Sequence, residues 1–194
     1  MAQSAKHRDA LLKSSARLFR RQGYSGTGLK QILEDSGAPK GSLYHYYPGG
    51  KEDIGVAVVK VAGRVVGKTL GVLATKSESP SAFILAYAGM LAGWMKGSEF
   101  RDGCPITTVL LEMAPESELI TQAGQQVMES WIDIMSEVFI SHGWDSLAAE
   151  RAANLSMSSL EGALILARVK QSSSPILDAA EELARLWGRD ESSQ

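Results

Sequence analysis

The side chains with the greatest capacity for chemistry lie in a run of seven residues, Lys40–Tyr46, which reads Lys-Gly-Ser-Leu-Tyr-His-Tyr. Amines, hydroxyls and imidazoles are the groups that contact phosphates and base edges in nucleic acids. Only Leu43, and Tyr47 just beyond the run, offer apolar anchors. The run therefore predicts a short helix, anchored on one side, whose polar and aromatic face is suited to enter a major groove.

Another short helix is predicted just before this run. Leu29, Ile32 and Leu33 recur at the spacing of one helical face, and the hydroxyl of Thr27 is predicted to cap the helix start. Gly37 provides a left-handed residue at the helix end. The two segments together predict a helix-turn-helix over residues 27–51. Because such patterns are common, a surface hairpin that is merely rich in tyrosine remains the alternative.

Charge is distributed unevenly along the chain. Residues 1–51 contain nine Lys and Arg against three Asp and Glu, a net charge of +6, whereas the remaining 143 residues carry −8. The overall charge of −2 therefore conceals a basic N-terminal segment. This is the electrostatic pattern expected of a DNA-binding domain.

The sequence of this basic segment resembles the helix-turn-helix domain of TetR-family transcriptional regulators. The resemblance covers about the first 55 residues and rests on R-L-F-R-R-Q-G-Y-S-G-T-G-L-K-Q-I and K-G-S-L-Y-H-Y-Y-P-G-G-K-E. The extra glycine in Pro48-Gly49-Gly50, and the later G-C-P-I-T-T-V-L-L-E, resemble the LmrA/YxaF-like branch of that family. Pro39 departs from the Ser or Thr that caps the recognition helix in many relatives, and Tyr46 replaces a His that commonly contacts a phosphate.

Motif and resemblance together identify a set of candidate DNA-binding residues. Lys51 belongs to it because a phosphate could sit beside its amine at the N-terminus of the following helix. The full set is Thr27, Lys40, Gly41, Ser42, Tyr44, His45, Tyr46 and Lys51.

Composition and turn signals predict an all-α protein of about nine helices. A DNA-binding domain at residues 1–51 should precede a ligand-binding and dimerisation domain at 52–194, with a helix at 52–74 as the connector. The first helix is expected to begin at Lys6, and the polar tail from residue 189 is expected to be disordered. Pro105 and Pro115 are predicted to open two of the later helices.

The predicted connector helix contains Gly55, Gly63, Gly67 and Gly71 on one stripe. Each glycine costs roughly 1 kcal/mol of helix propensity relative to alanine. Two explanations are open: the stripe allows close packing against a neighbouring helix, or it makes the connector compliant.

The last two predicted helices carry small and apolar faces that could form a four-helix interface between two copies of the chain. The alternative is that both faces are buried within one chain. The family resemblance implies a homodimer, and the candidate interface residues are Ala152, Ser156, Ser159, Ala163, Leu177, Ala180, Leu183, Ala184 and Trp187.

Bulky side chains in the middle of the chain are more often plain core than a ligand site, but the family resemblance implies a cavity for a small apolar effector here. The candidate lining is Tyr87, Trp94, Phe100, Val109, Met113, Trp131 and Met135. Polar groups that could orient an effector are Thr107, Thr108, Glu112 and Gln126.

Enzymatic chemistry has little support in the sequence. No nucleophile motif, phosphate loop or histidine pair at metal-binding spacing is present, so we expect no catalytic residue, no metal site and no cofactor. The absence of a membrane-spanning or secretory segment and the single cysteine suit a cytoplasmic protein.

The sequence therefore predicts a ligand-responsive repressor that binds a palindromic operator as a homodimer. The alternatives are a regulator of the same fold controlled by a partner protein or by oxidation of Cys104, and an all-α enzyme.

Overall fold

The computed structural model describes residues 2–189, with side chains from residue 6 to residue 188. Over this range the chain forms nine α-helices and no strand, which confirms the predicted all-α class. The helices are α1 (Ala2–Gln22), α2 (Leu29–Ser36), α3 (Lys40–Tyr46), α4 (Lys51–Ala74), α5 (Pro80–Gly97), α6 (Thr107–Met113), α7 (Glu118–Ile140), α8 (Ser146–Lys170) and α9 (Ser174–Arg189). The first helix starts before the predicted Lys6. The tail predicted to be disordered lies, apart from Arg189, outside the described residues.

The chain separates into two compact units. The first contains Met1–Arg64 and Cys104–Val127, and the second contains Val65–Gly103 and Met128–Gln194. The helices α4 and α7 each contribute to both units. The functional boundary predicted after residue 51 stays a prediction.

In the first unit, α1 packs against α2, α3 and α6. Leu11 and Phe19 of α1 are fully buried, as are Ile32 of α2 and Leu43 of α3. These apolar contacts hold the two short helices, which would be too short to persist alone in water. The helix-turn-helix geometry therefore depends on α1.

Several helix ends follow the sequence signals. Gly37 adopts a left-handed φ of 64° after α2. Ser79 caps α5 by accepting the backbone N–H of Ala82, and Asp145 caps α8. Local signals of this kind act through neighbouring backbone groups, which is why the sequence predicts them well.

Three predicted helix starts are wrong. Gly28, not Thr27, precedes α2, and the buried hydroxyl of Thr27 donates to the carbonyl oxygen of Gly23 at 2.8 Å. Pro105 lies in a turn before α6, and Pro115 lies three residues before α7. At the start of α7, the hydroxyl of Ser117 accepts the N–H of Ile120 at 3.2 Å, a bond that a proline side chain cannot provide.

The glycines of α4 differ in their surroundings. A Cβ at Gly63 would lie 2.5 Å from a Cγ of Val127, and one at Gly55 would lie 3.0 Å from Ile120. At Gly67 the nearest contact would be an ordinary 3.7 Å, and at Gly71 there is open space within 4 Å. The contacts support close packing over Gly55 and Gly63 and offer no packing reason for Gly71.

In the second unit, α5, α8 and α9 pack against one another. The small residues of α8 allow this close approach, and its alanines Ala149, Ala153 and Ala167 are fully buried. Phe139, Trp144 and Trp187 form an aromatic cluster with ring centroids 5.0–5.7 Å apart. This unit therefore has its own apolar core.

Candidate nucleic-acid interface

The helix α3 presents a polar face on a buried anchor. Leu43 and Tyr47 are buried, whereas Lys40 and His45 are exposed and the ring of Tyr44 is 48% exposed. The rings of His45 and Tyr46 contact edge to face at a centroid distance of 4.7 Å. The exposed groups are hydrogen-bond donors and acceptors on a helix narrow enough for a major groove.

An ion pair between α1 and α2 supports this arrangement. Asp35 of α2 forms a hydrogen-bonded ion pair with Arg17, and it also accepts the hydroxyl of Ser14 at 2.5 Å. The bonds from Arg17 and then Ser14 lower the pKa of the Asp35 carboxyl. Asp35 therefore remains ionised at neutral pH and links the two helices.

The loop between α1 and α2 is held by a glutamate that is distant in sequence. Glu112 of α6 accepts the backbone N–H of Tyr24 at 2.9 Å and that of Ser25 at 2.6 Å. Partial burial raises the pKa of Glu112, but the bonds from Ser25 and Tyr24 and the charge of Lys51 outweigh it, so the pKa is lowered overall. The sequence suggested Glu112 as a ligand-orienting group; in the structure it positions the loop that precedes the helix-turn-helix.

Lys51 takes part in the same cluster. Its ammonium lies 4.3 Å from the ring centroid of Tyr24, within the range of a cation–π contact. Burial lowers the pKa of Lys51, and the nearby carboxylate of Glu112 opposes that change. The amine predicted to contact a phosphate thus already has an intramolecular aromatic partner.

The predicted DNA-binding residues fall into three groups. Lys40, Gly41, Tyr44 and His45 are exposed on α3, where the prediction placed them. Ser42, Tyr46 and Lys51 are half-buried. Thr27 is fully buried, so its side chain serves the turn after α1 and cannot contact DNA in this conformation.

The predicted effector-binding residues are divided between the two units. Val109 and Met113 belong to the first unit, whereas Tyr87, Trp94, Phe100, Trp131 and Met135 belong to the second. Tyr87, Trp131 and Met135 are buried, whereas Trp94 is 46% exposed. Val109 is buried too, in the first unit, so within the second unit these three buried side chains are the ones that keep the character expected of a cavity lining.

The predicted dimer face requires a correction. Five of its residues are buried in the chain's own second unit, so they are not available to a second copy: Ala152, Ser156, Ala163, Ala180 and Leu183. Trp187 also points inward, because its indole N–H donates to the hydroxyl of Ser156 at 3.1 Å. The sequence could not tell the inner face of α8 from its outer one, since small and apolar residues occupy both.

The outer face of α8 carries an apolar stripe that the sequence reasoning missed. Leu155, Gly162, Leu166 and Val169 are exposed, and Val169 is 77% exposed. Their spacing of seven, four and three residues places them on one side of the helix. Leu177, from the predicted set, is also exposed on α9.

Among the described residues, no cluster of three or more His, Cys, Asp or Glu side chains could hold a metal ion. No described helix has the length and hydropathy needed to cross a membrane.

Two family models match the chain. Residues 11–58 match the model "Bacterial regulatory proteins, tetR family", and residues 80–182 match "Transcriptional regulator LmrA/YxaF-like, C-terminal domain". The first match contains α2, α3 and the start of α4, and the second extends from α5 into α9.

Curated relatives match along nearly the whole chain. The chain is 31% identical to the uncharacterised HTH-type transcriptional regulator YxaF of Bacillus subtilis, over 91% of this chain and 92% of that protein. It is 30% identical to the HTH-type transcriptional regulator LmrA of the same organism, over 88% of this chain and 90% of that protein.

Solved structures share the fold. A TetR regulatory protein from Rhodobacter sphaeroides superposes with a TM-score of 0.83, at 22% identity, over 92% of this chain and 97% of that one. The regulator CifR, solved with double-strand operator DNA, superposes with a TM-score of 0.77 at 20% identity, over 92% of this chain and 95% of that one.

Proposed function

The chain belongs to the TetR family of bacterial regulatory proteins, with an LmrA/YxaF-like C-terminal domain, and we propose that it is a homodimeric repressor released from its operator by a small apolar molecule. It is a DNA-binding transcriptional regulator, as its family and relatives are, and not an enzyme. We infer that it acts in the cytoplasm, where a bacterial regulator meets its DNA.

The main support for DNA binding by this chain is the exposed polar face of α3. Lys40 neutralises a phosphate and positions the helix, which gives affinity without sequence preference. At least one of Ser42, Tyr44 and His45 contacts a base edge. The Tyr44 ring can meet a thymine methyl group or its hydroxyl can meet a phosphate, so it can serve either purpose.

The outer stripe of α8 supports the homodimer. An exposed apolar stripe on one helix is most simply covered by the same stripe of a second copy, because a twofold interface is self-complementary. Ser158, Ser159 and Gly162 lie along the stripe and let the two helices approach closely. Dimerisation pairs two reading helices, which fits a palindromic operator with half-sites one helical turn apart or a multiple of it.

The second unit supplies the proposed effector site. Tyr87, Trp131 and Met135 are buried there, and they offer the aromatic and thioether surface that suits flat apolar compounds. The hydroxyl of Ser136, next to Met135, is buried without a hydrogen-bond partner among the described residues. An unsatisfied hydroxyl of this kind can orient a ligand that carries a polar atom.

Transcription in vitro from the promoter upstream of the chain's own gene tests the proposal. The purified protein should reduce the transcript, and an apolar aromatic compound that binds the protein should restore it. If the protein bound the promoter and increased the transcript, repression would be wrong. If no compound from a broad screen restored the transcript, release by an effector would lose its support.

The dimer is tested by sedimentation and by operator affinity. Leu166→Asp places an unpaired charge in the proposed interface, so it should yield monomers and weaken operator binding. Leu111→Asp is the control, since Leu111 is 73% exposed and belongs to the first unit, whereas α8 belongs to the second. Intact dimers for Leu166→Asp would overturn the assignment of the outer stripe.

A further inference from the structure

A groove in the first unit has features that DNA binding does not use. Its volume is about 440 Å³, and its walls come from α1, the end of α3, residues 53–64 of α4 and Leu119 of α7. This volume falls within the roughly 300–1,000 Å³ typical of small-molecule sites. All of its lining residues belong to one compact unit.

The rim of the groove is positively charged. Arg8 of α1 and Lys60 and Arg64 of α4 line it, and all three side chains are exposed. One acidic residue, Asp53, also lines the groove, and its carboxylate accepts the backbone N–H of Gly49 at 2.6 Å. Three cations against one carboxylate leave a positive field that favours an anionic ligand.

Part of the lining of the groove, called its floor below, is aliphatic. Leu12, Val56, Val61 and Leu119 contribute aliphatic side chains to it. A DNA phosphate would not use these aliphatic side chains, because its charged oxygens bind cations and hydrogen-bond donors. A ligand with both an anionic group and an aliphatic chain would use the rim and the floor together.

One buried polar group in the wall lies beside Arg8. Tyr47 lines the groove and is 5% exposed, and its hydroxyl lies beside the Arg8 side chain without forming a hydrogen bond of good geometry to any described residue. Burial raises the pKa of this hydroxyl, the charge and hydrogen bonding of the Arg8 side chain oppose the change, and the charge of Asp9 adds to it. The hydroxyl is therefore protonated at neutral pH and can donate.

We propose that this groove is a binding site for an amphiphilic carboxylate, with its head group among Arg8, Lys60 and Arg64 and its chain on the aliphatic floor. The site is separate from the effector site proposed in the second unit, and it does not rest on repression. Binding requires both the anionic group and the aliphatic chain, because water and salt screen the exposed charges of the rim and weaken an ion pair formed there alone.

Calorimetric titration of the full chain without DNA is the first test, with decanoate as the probe. Decanol, which has the same chain and no charge, and acetate, which has the charge and no chain, are the matched ligands. Decanoate should bind, and decanol and acetate should each bind at least tenfold more weakly. Equal binding of decanol and decanoate would contradict a site that selects the carboxylate.

Variants then locate the site. Lys60→Gln should weaken decanoate binding about fivefold, as expected for an exposed charge pair at the upper end of its range. Lys68→Gln should not, because Lys68 is an exposed lysine of the same helix that does not line the groove. Equal effects of the two variants would mean that decanoate responds only to the general charge of α4, and would overturn the proposal.

Tyr47→Phe gives a readout that a purely structural tyrosine would not. It should weaken decanoate binding about tenfold, because a hydrogen bond to a charged acceptor is lost, yet the free protein should melt no lower than wild type, since the hydroxyl forms no hydrogen bond of good geometry in the absence of a ligand. Tyr44→Phe, on the exposed face of α3, is the control and should change neither value.

A Tyr47→Phe protein that binds decanoate as wild type does would refute the role of the hydroxyl. If decanoate failed to bind at millimolar concentration while Lys60→Gln reduced the salt dependence of operator binding, the groove would serve the DNA backbone instead, and the proposal would be wrong.

Discussion

Replacing Glu112 by glutamine should weaken the attachment of the loop between α1 and α2. The carboxylate of Glu112 accepts two backbone N–H groups, from Tyr24 at 2.9 Å and Ser25 at 2.6 Å. The glutamine side chain keeps one acceptor oxygen, so one of the two donors loses its partner. The ammonium of Lys51 also loses a nearby negative charge.

The size of the expected loss of stability follows from the solvent exposure of Glu112. A hydrogen bond to a charged group contributes about 1.5–3 kcal/mol when it is well shielded from water. Glu112 is exposed, so solvent screening reduces the loss to about 1 kcal/mol. For a chain of this size, a loss of about 1 kcal/mol lowers the melting temperature by about 2–4 °C.

The dependence on pH provides a second measurement. The pKa of Glu112 in the folded protein lies below the ordinary value of 4.5, so its stabilising contribution is complete above that value and is lost as the pH falls through the folded-state pKa. The difference in melting temperature between wild type and Glu112→Gln should therefore be full at pH 7 and shrink below about pH 4.5.

Calorimetric or circular dichroism melting of both proteins across that pH range measures the effect. Glu116→Gln is the control, since Glu116 is an exposed glutamate in the segment between α6 and α7, and its melting temperature should match wild type closely. If Glu112→Gln behaved like Glu116→Gln at pH 7, the loop attachment would contribute nothing and the reasoning would be refuted.

Three further outcomes are expected. Gly63→Ala should lower the free energy of unfolding by about 1–3 kcal/mol because the added methyl group meets a valine of α7, whereas Gly71→Ala, in open space, should raise it by about 0.5–1 kcal/mol. Denaturant unfolding of both variants measures these changes. Changes of the same sign in the two variants would contradict the packing explanation. Lys40→Ala should reduce the slope of log operator affinity against log salt concentration by about 1. Lys51→Ala should reduce this slope less, because the ammonium of Lys51 already contacts the ring of Tyr24. Equal slopes for the two variants would refute this ranking. Trp131→Phe should remove most of the fluorescence quenching by an effector, and unchanged quenching would place the effector elsewhere.

The sequence alone was sufficient for the features that arise within a few residues. The αL residue Gly37 and the polar run on α3 lie where the sequence predicts them, and Ser79 and Asp145, which cap α5 and α8, are of the residue types that cap helices. Each depends on side chains and backbone groups that are neighbours in the chain, so no tertiary information is needed. The basic character of the first 51 residues is likewise a matter of counting charges.

Only the tertiary structure decided which face of a helix is covered by its own chain. Ala152 and Ala163 on α8 are buried and Leu166 is exposed, yet all three are apolar, so hydrophobic periodicity gives no signal that separates the two faces. Tyr24 and Glu112 are 88 residues apart and meet only because α6 packs against α1. The packing of helices that are distant in the sequence brings this carboxylate to two backbone N–H groups that need acceptors. A single sequence does not record which distant segments pack together, so it does not predict this contact.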